Sequence, residues 1–306
     1  MKKVLFATTA LVLSAGFASA DVTLSGYGRF GLQYNDSAAA GVSETTVESR
    51  MRLNIDASKE TDGGVTFGGR VRVQYDNGST ASSLNAAMMY ASFGGFRMEV
   101  GNANQAMDSA PLVYASELGL VSSSFGDIQS GFYAYTTGPY AAAETNRMGV
   151  SASYSMGAFS GMLSYINPDQ TASSLPAGTK AEASLYLAYA SGPLTVAAAG
   201  TWNAAGIDGN DIAFIGAAYQ VNDAVNVGLN YTDEVVGETI VGYGSYKMGA
   251  TTLRGYIANN SDPANATDTA YGIGADYDLG GATLLGGIQK GYAKETVADF
   301  GVKFAF

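Results

Sequence analysis

The sequence predicts an all-β fold: a sixteen-stranded antiparallel transmembrane barrel with a long third loop folded into its lumen. Three observations predict it. The chain ends on Val297-Ala-Asp-Phe-Gly-Val-Lys-Phe-Ala-Phe306, where Ala298, Phe300, Val302, Phe304 and Phe306 share one face and Asp299, Gly301 and Lys303 the other. A side-chain period of two belongs to a strand, and an apolar face opposite a charged one suits a wall between hydrocarbon and water. The same alternation recurs from residue 22 onward, and the connections between its segments are short and long in turn.

The first twenty residues read differently. Met1-Lys-Lys supplies a positive start, Val4 to Leu13 is almost wholly apolar, and Ala18-Ser19-Ala20 fits the small-residue cleavage rule. Residues 1–20 are therefore expected to be a signal peptide and residues 21–306 one β domain. The apolar stretch is too short to span a bilayer as a helix. No cysteine is present, so an exported chain must be stabilised without disulfides.

Walking from residue 21, alternating segments fall near 22–34, 45–57, 65–76, 85–93, 96–101, 146–155, 158–167 and 180–190. The second half adds 193–203, 211–219, 225–232, 239–248, 251–258, 269–277, 282–290 and 295–306. Sixteen is even, as a barrel with both termini on one rim requires. Pro111, Pro139, Pro168, Pro176 and Pro263 fall in the connections, and Pro193 opens a strand, where a missing donor is tolerated. Gly94-Gly95, Met156-Gly157, Ser191-Gly192 and Gly249-Ala250 make short turns. Asn35–Glu44, Pro168–Thr179 and Asn259–Asp268 make long polar links. Short turns on one rim and long loops on the other are the outer-membrane arrangement.

One connection is out of proportion, at about 102–145. Loops of that size are uncommon and usually functional. Leu112, Val113, Tyr114, Leu118, Leu120, Val121, Phe125 and Ile128 make it too apolar to float in water. Packing inside the barrel, where it narrows the lumen, satisfies both facts.

Parity assigns the faces. Val22, Leu24, Phe30 and Leu32 point outward on the first strand, which turns Tyr27, Arg29 and Gln33 inward. Val47, Met51, Leu53 and Ile55 send Arg50 and Arg52 inward. Val65, Phe67, Val71, Val73 and Tyr75 do the same for Arg70 and Arg72, and Phe96, Met98 and Val100 for Arg97 and Glu99. On the lipid face at the bilayer midplane each arginine would cost about 2–4 kcal/mol. Counting from the strand ends brings Arg29, Arg50, Arg52, Arg70 and Arg72 to one mid-barrel level. So many like charges need water and counter-charge around them.

The long loop offers counter-charge in Asp108, Glu117, Asp127 and Glu144. A cationic wall facing an acidic loop sets a transverse field across a narrow aqueous gap, which favours small, polar, orientable solutes. The competing expectation is that individual arginines tether the loop by ion pairs. Outward aromatics gather in two rows, Tyr34, Tyr75, Tyr165, Trp202 and Tyr231 on the loop side and Tyr154, Tyr189, Tyr219 and Tyr277 on the turn side. Such rows are bilayer girdles.

Composition excludes other classes. Sixteen basic against 27 acidic residues give a net charge of −11, more acidic still once Lys2 and Lys3 leave with the signal peptide. That argues against nucleic acid as a partner. With no histidine there is no His-based triad or zinc site. Gly26-Tyr-Gly-Arg-Phe-Gly31 spells G-x-G-x-x-G, but within a strand and with no helix after it, so it is no nucleotide site. Asp208, Asp211 and Asp262 offer oxygens that calcium could take, yet no twelve-residue calcium loop is present, and no cofactor is expected.

Asp21-Val-Thr-Leu-Ser-Gly-Tyr-Gly-Arg-Phe-Gly31, the Arg-rich second and third strands, Val100-Gly-Asn opening the long loop and Asp299-Phe-Gly-Val-Lys-Phe-Ala-Phe306 together resemble the Gram-negative general diffusion porins, those of the alphaproteobacterial (Rhodobacter) type above all. The resemblance covers essentially the whole of 21–306. It implies a trimeric sixteen-stranded barrel in the outer membrane and passive diffusion of ions and small hydrophilic molecules. It also implies an eyelet walled by Arg29, Arg50, Arg52, Arg70 and Arg72 opposite acids of the third loop, with Phe306 read by the outer-membrane assembly machinery. A barrel adhesin or barrel enzyme, with purely structural inward arginines, is the alternative. The acidic net charge favours cations in the vestibules while the arginines favour anions at the narrowing.

Overall fold

The computed structural model describes residues 21–78 and 84–306. The expected signal peptide lies outside the described residues. The chain runs β1 (Asp21–Asn35), β2 (Thr45–Glu60), β3 (Thr66–Asp76), β4 (Met88–Phe93), β5 (Phe96–Gly101), a single helical turn α1 (Ala106–Ser109), β6 (Met148–Met156), β7 (Phe159–Asn167) and β8 (Glu182–Ser191). It continues with β9 (Leu194–Trp202), β10 (Ile212–Gln220), β11 (Val225–Glu234), β12 (Gly237–Met248), β13 (Thr251–Asn260), β14 (Thr269–Asp278), β15 (Ala282–Lys290) and β16 (Thr296–Ala305). Every strand pairs with its sequence neighbours, and β1 pairs with β16, so the sheet is a closed barrel. Closure leaves no long open edge, which a bilayer would not tolerate.

The expected strands are found, with ends shifted by a few residues. The largest shifts are three residues, at β2, which runs on to Glu60 instead of 57, and at β4, which begins at Met88 instead of 85. Asn85 turns its backbone N–H to Arg72 O at 2.9 Å and accepts from Arg72 N through Oδ1 at 2.7 Å. Its side chain caps the β3 edge, so the ladder to β4 starts later.

Burial is inverted relative to a water-soluble domain. Val47 is 65% exposed, Leu163 60% and Ile273 66%, whereas Glu182, Thr201 and Asn230 are 2% exposed or less. Apolar residues outward and polar residues inward is the distribution hydrocarbon imposes. Tyr75, Tyr154, Tyr165, Trp202, Tyr219 and Tyr277 are among the exposed aromatics, as the two girdles require.

The seam between β1 and β16 depends on glycine. Tyr27 lies opposite Ala305 and Gly28 opposite Phe304. A Cβ on Gly28 would come within 2.6 Å of the Phe304 ring, and one on Gly26 would meet Arg52 O and the Phe306 ring. Gly26 and Gly28 of the nucleotide-like string thus leave room for the terminal aromatics on the outer face. Gly28→Val is expected to lower the yield of closed barrel, read as loss of the heat-modifiable band on a gel. An unchanged yield would show that the rings can move aside without consequence.

Candidate functional site

The long loop between β5 and β6 follows the inner wall. Its first part packs α1 against β7–β9, with Ala106 N donating to Ser164 Oγ at 2.9 Å and Met107 N to Ser184 Oγ at 3.1 Å. Leu112 O accepts from Asn230 Nδ2 of β11 at 2.7 Å. The tip reaches β16, where Leu120 N and Val121 N donate to Asp299 at 2.7 and 3.0 Å. The return limb gives Phe125 N to Tyr256 Oη of β13 at 3.0 Å, Gln129 N and Ser130 N to Glu234 of β11, and Tyr133 N to Glu182 of β8 at 2.8 Å. Most of these bonds hang the loop by its own N–H groups from acceptors on the wall.

Packing reinforces those bonds. Met107, Val113, Leu118 and Leu120 are buried, each worth about 1.5–3 kcal/mol of apolar burial. Inward glycines make the bed. A Cβ on Gly31 or Gly301 would fall 2.7 or 2.6 Å from Leu120 Cδ2, and one on Gly287 2.5 Å from Leu118 Cδ1. Arg147 secures the end of the loop, stacked on Tyr133 at 4.0 Å and donating to Ala134 O at 3.2 Å. The covered wall runs from β7 round to β16, and β2 and β3 are left largely bare.

That bare stretch carries the arginines. Arg29 lies opposite Arg50, Arg52 opposite Gln74, Arg72 opposite Asn54 and Arg70 opposite Asp56. From β1 to β3 the guanidinium groups therefore follow a diagonal of the sheet. In a barrel with tilted strands a diagonal is what a belt at roughly constant height becomes.

Their nearest counter-charges differ from the expected ones. Arg29 pairs with Glu48 at 2.6 Å, Arg70 with Asp56 at 2.7 Å, Arg97 with Glu99 at 2.7 Å, and Arg50 with Asp76. All four acids are on strands, because cross-strand or same-face neighbours sit about 4.5–8 Å apart and a loop across a gap cannot come so near. Arg52 and Arg72 bond neutral oxygens instead, Gln74 Oε1 at 2.6 Å and Asn54 Oδ1 at 2.8 Å, and neither is in an ion pair among the described residues. Arg52 stacks on Tyr27 at 5.0 Å and Arg72 on Tyr135 of the loop at 4.6 Å. Arg29 does tether the loop, through the carbonyls of Leu120 and Val121 at 3.5 and 3.1 Å rather than through an acid.

The loop acids stay within the loop. Asp108 accepts from Tyr114 Oη at 2.7 Å, and Asp127 from Ser116 Oγ and Ser124 N, both at 3.1 Å. The Glu117 carboxylate makes no hydrogen bond or ion pair among the described residues, and its backbone N–H donates to Tyr114 O at 3.2 Å. Burial pushes the Glu117 carboxyl up to about 8, helped by the charge of Asp127, and pushes Asp127 up to about 7; Asp108 is raised by the same cause. Glu144 pairs with Arg147 at 3.5 Å. Phe306 lies on the turn rim, half exposed, its backbone paired with Gly26.

Sequence reasoning passed over the wall carboxylates Glu182, Glu234 and Asp299 that hold the loop, and over Glu48, Asp56 and Asp76. The signal was available, since 48, 50, 52, 54 and 56 share one parity. Asp208, Asp211 and Asp262 contact Lys180, Asn203 N and Ala264 N respectively, and no group of three or more acids placed to hold a metal occurs among the described residues.

Comparison with known proteins agrees with this architecture. Residues 7–295 match the family model described as Gram-negative porin. The chain is 45% identical over 293 residues to a porin of Fuscovulum blasticum, covering 94% of this chain and all of the relative. It is 26% identical over 329 residues to a porin of Rhodobacter capsulatus, again over 94% of this chain and all of that one. Structures of engineered Rhodopseudomonas blastica porin variants superpose with a TM-score of 0.89 at 43–44% identity, covering 93% of this chain and all of theirs. On its sequence, its closed barrel and its inward loop, the chain belongs to the Gram-negative porin family.

Proposed function

We propose that the chain forms a water-filled channel in the Gram-negative outer membrane for passive diffusion of ions and small hydrophilic solutes. Arg50, Arg52, Arg70 and Arg72 form one side of its constriction, flanked by Arg29 and Arg97. The loop at about 102–145, bearing Asp108, Glu117 and Asp127, forms the other. The observation that carries this reading is the loop's path: it covers the wall from β7 to β16 and leaves bare the stretch that holds Arg52 and Arg72 without a carboxylate. Guanidinium groups stacked on tyrosine faces stay hydrated and ordered while remaining charged, which suits a polar pore wall. Three copies assemble, each within outer-membrane lipid. Residues 1–20 direct export, and Phe306 is the signal read by the assembly machinery. The chain is a channel and not an enzyme.

Purified protein in a planar bilayer is expected to give stable open steps. Its cation preference is expected to rise between about pH 6 and 9. Glu117 and Asp127 hold their protons to about 8 and 7, so the loop gains negative charge as pH climbs through those values. A folded protein that stays silent would overturn the channel reading. A zero-current potential flat across that range would remove the two acids from the pore.

A further inference from the structure

Beneath the loop, on the turn side, a polar cavity of about 400 Å³ lies between residues 112–117 and the wall from β9 to β13. It is away from the arginine diagonal. A water occupies about 30 Å³ in the liquid, so the space holds about a dozen waters, or a small organic solute with several of its own. Three lining groups are unsatisfied. The Glu117 carboxylate has no hydrogen-bond or ion-pair partner among the described residues. The hydroxyl of Tyr243 is buried with no hydrogen-bond partner. Arg254 spends Nε on Asp276 at 2.6 Å, and its terminal nitrogens make no bond among the described residues. Gln220 and Asn226 complete a polar floor.

Glu117 and Arg254 are not sealed off, so an acceptor and a donor with bonding capacity to spare face one polar space where a ligand or ordered water can bond both. Their chemistry specifies which. An acceptor carboxyl and a two-pronged donor share one space. A solute with an ammonium and a carboxylate can satisfy both ends, whereas a simple cation or anion satisfies one.

We propose that this cavity is a transit subsite for small zwitterions of the amino-acid class, with the ammonium at Glu117 and the carboxylate at Arg254. The proposal rests on the chain being a channel. Asp127 and Lys303 are the charges that act on Glu117 from the rest of the loop and from β16. A docked ammonium adds a positive charge to that set and favours the ionised carboxylate.

The test is single-channel recording in about 0.1 M KCl, where charges are screened only beyond about 10 Å. The probes are β-alanine, ethylamine, propionate and the neutral propanamide. β-Alanine is expected to reduce the current in a saturable way, with propanamide showing only the bulk-viscosity effect and each half-probe binding at least about tenfold more weakly. Glu117→Gln and Arg254→Gln should each raise the half-blocking β-alanine concentration about tenfold. Ser245→Leu, which fills the cavity without changing charge, should abolish the block. An open channel that β-alanine affects no more than propanamide overturns the subsite, as does a block that survives all three substitutions. Equal block by ethylamine alone would make it a cation site and likewise overturn the zwitterion assignment. A protein with no conductance at all would instead count against the channel itself.

Discussion

Replacing Arg52 and Arg72 together with glutamine is expected to move the zero-current potential toward cations while the barrel folds as before. The two are singled out by their partners. Each donates to a neutral amide oxygen, so its charge is not cancelled at contact distance and its removal strands no carboxylate. Two unit charges about 5 Å apart in water interact by about 0.8 kcal/mol, so losing one guanidinium should change the occupancy of each ion roughly fourfold in opposite directions, and their ratio by up to about sixteenfold. The double substitution should give more than either single one, and adding Arg50→Gln should extend the shift by removing a third positive charge. Arg29→Gln should behave differently. Arg29 and Glu48 are both buried and bonded to each other, and breaking a buried pair from one side costs about 3–5 kcal/mol. Its expected signature is a loss of stability and a loosened loop tip, more than a change of selectivity. Reversal potentials in a salt gradient measure the first effect and thermal unfolding in detergent the second. If the Arg52/Arg72 double variant kept the parent's potential, the arginine diagonal would not be the constriction.

The fold could be read from the sequence because hydrocarbon selects side chains one at a time. Val47, Met51, Phe67 and Met98 face outward in the structure as parity assigned them. Parity gives the face of a residue and says nothing of its offset from the next strand. That offset decides whether Arg50 meets Asp76 or Arg52 does, and whether Arg72 meets an acid or Asn54. At contact range the counter-charge comes from the wall and not the loop for this reason: inward acids two residues away along a strand, or directly across a ladder, are nearer than a loop across water. The loop's packing was legible in its apolar residues, of which Val113, Leu118 and Leu120 are buried. Its seat was not, because inward glycines such as Gly31, Gly287 and Gly301 carry no pattern of their own. Only the close approach of Leu118 and Leu120 gives them meaning.

Asp299→Ala should free the tip of the loop without opening the barrel. Asp299 accepts both Leu120 N and Val121 N, while Arg29 donates to the carbonyls of the same two residues. Donors and acceptors of one dipeptide are thus gripped from two neighbouring strands. Removing the carboxylate leaves two amide donors against the wall without acceptors, at about 1–3 kcal/mol each. The apolar seat of Leu118 and Leu120 opposes release with a comparable sum, so the docked and undocked tips should interconvert and not simply exchange one fixed state for another. Low-frequency current noise and larger open steps are expected at unchanged heat-modifiable mobility, since the ladder hydrogen bonds are untouched. Asp299→Asn, which keeps one amide oxygen as acceptor, should fall between the two. Adding Glu234→Ala, which frees Gln129 N and Ser130 N on the return limb, should enlarge the noise beyond the single variant. A quiet trace with parental step size in the Asp299/Glu234 double variant would mean that apolar packing alone holds the loop and that the wall carboxylates do not position it.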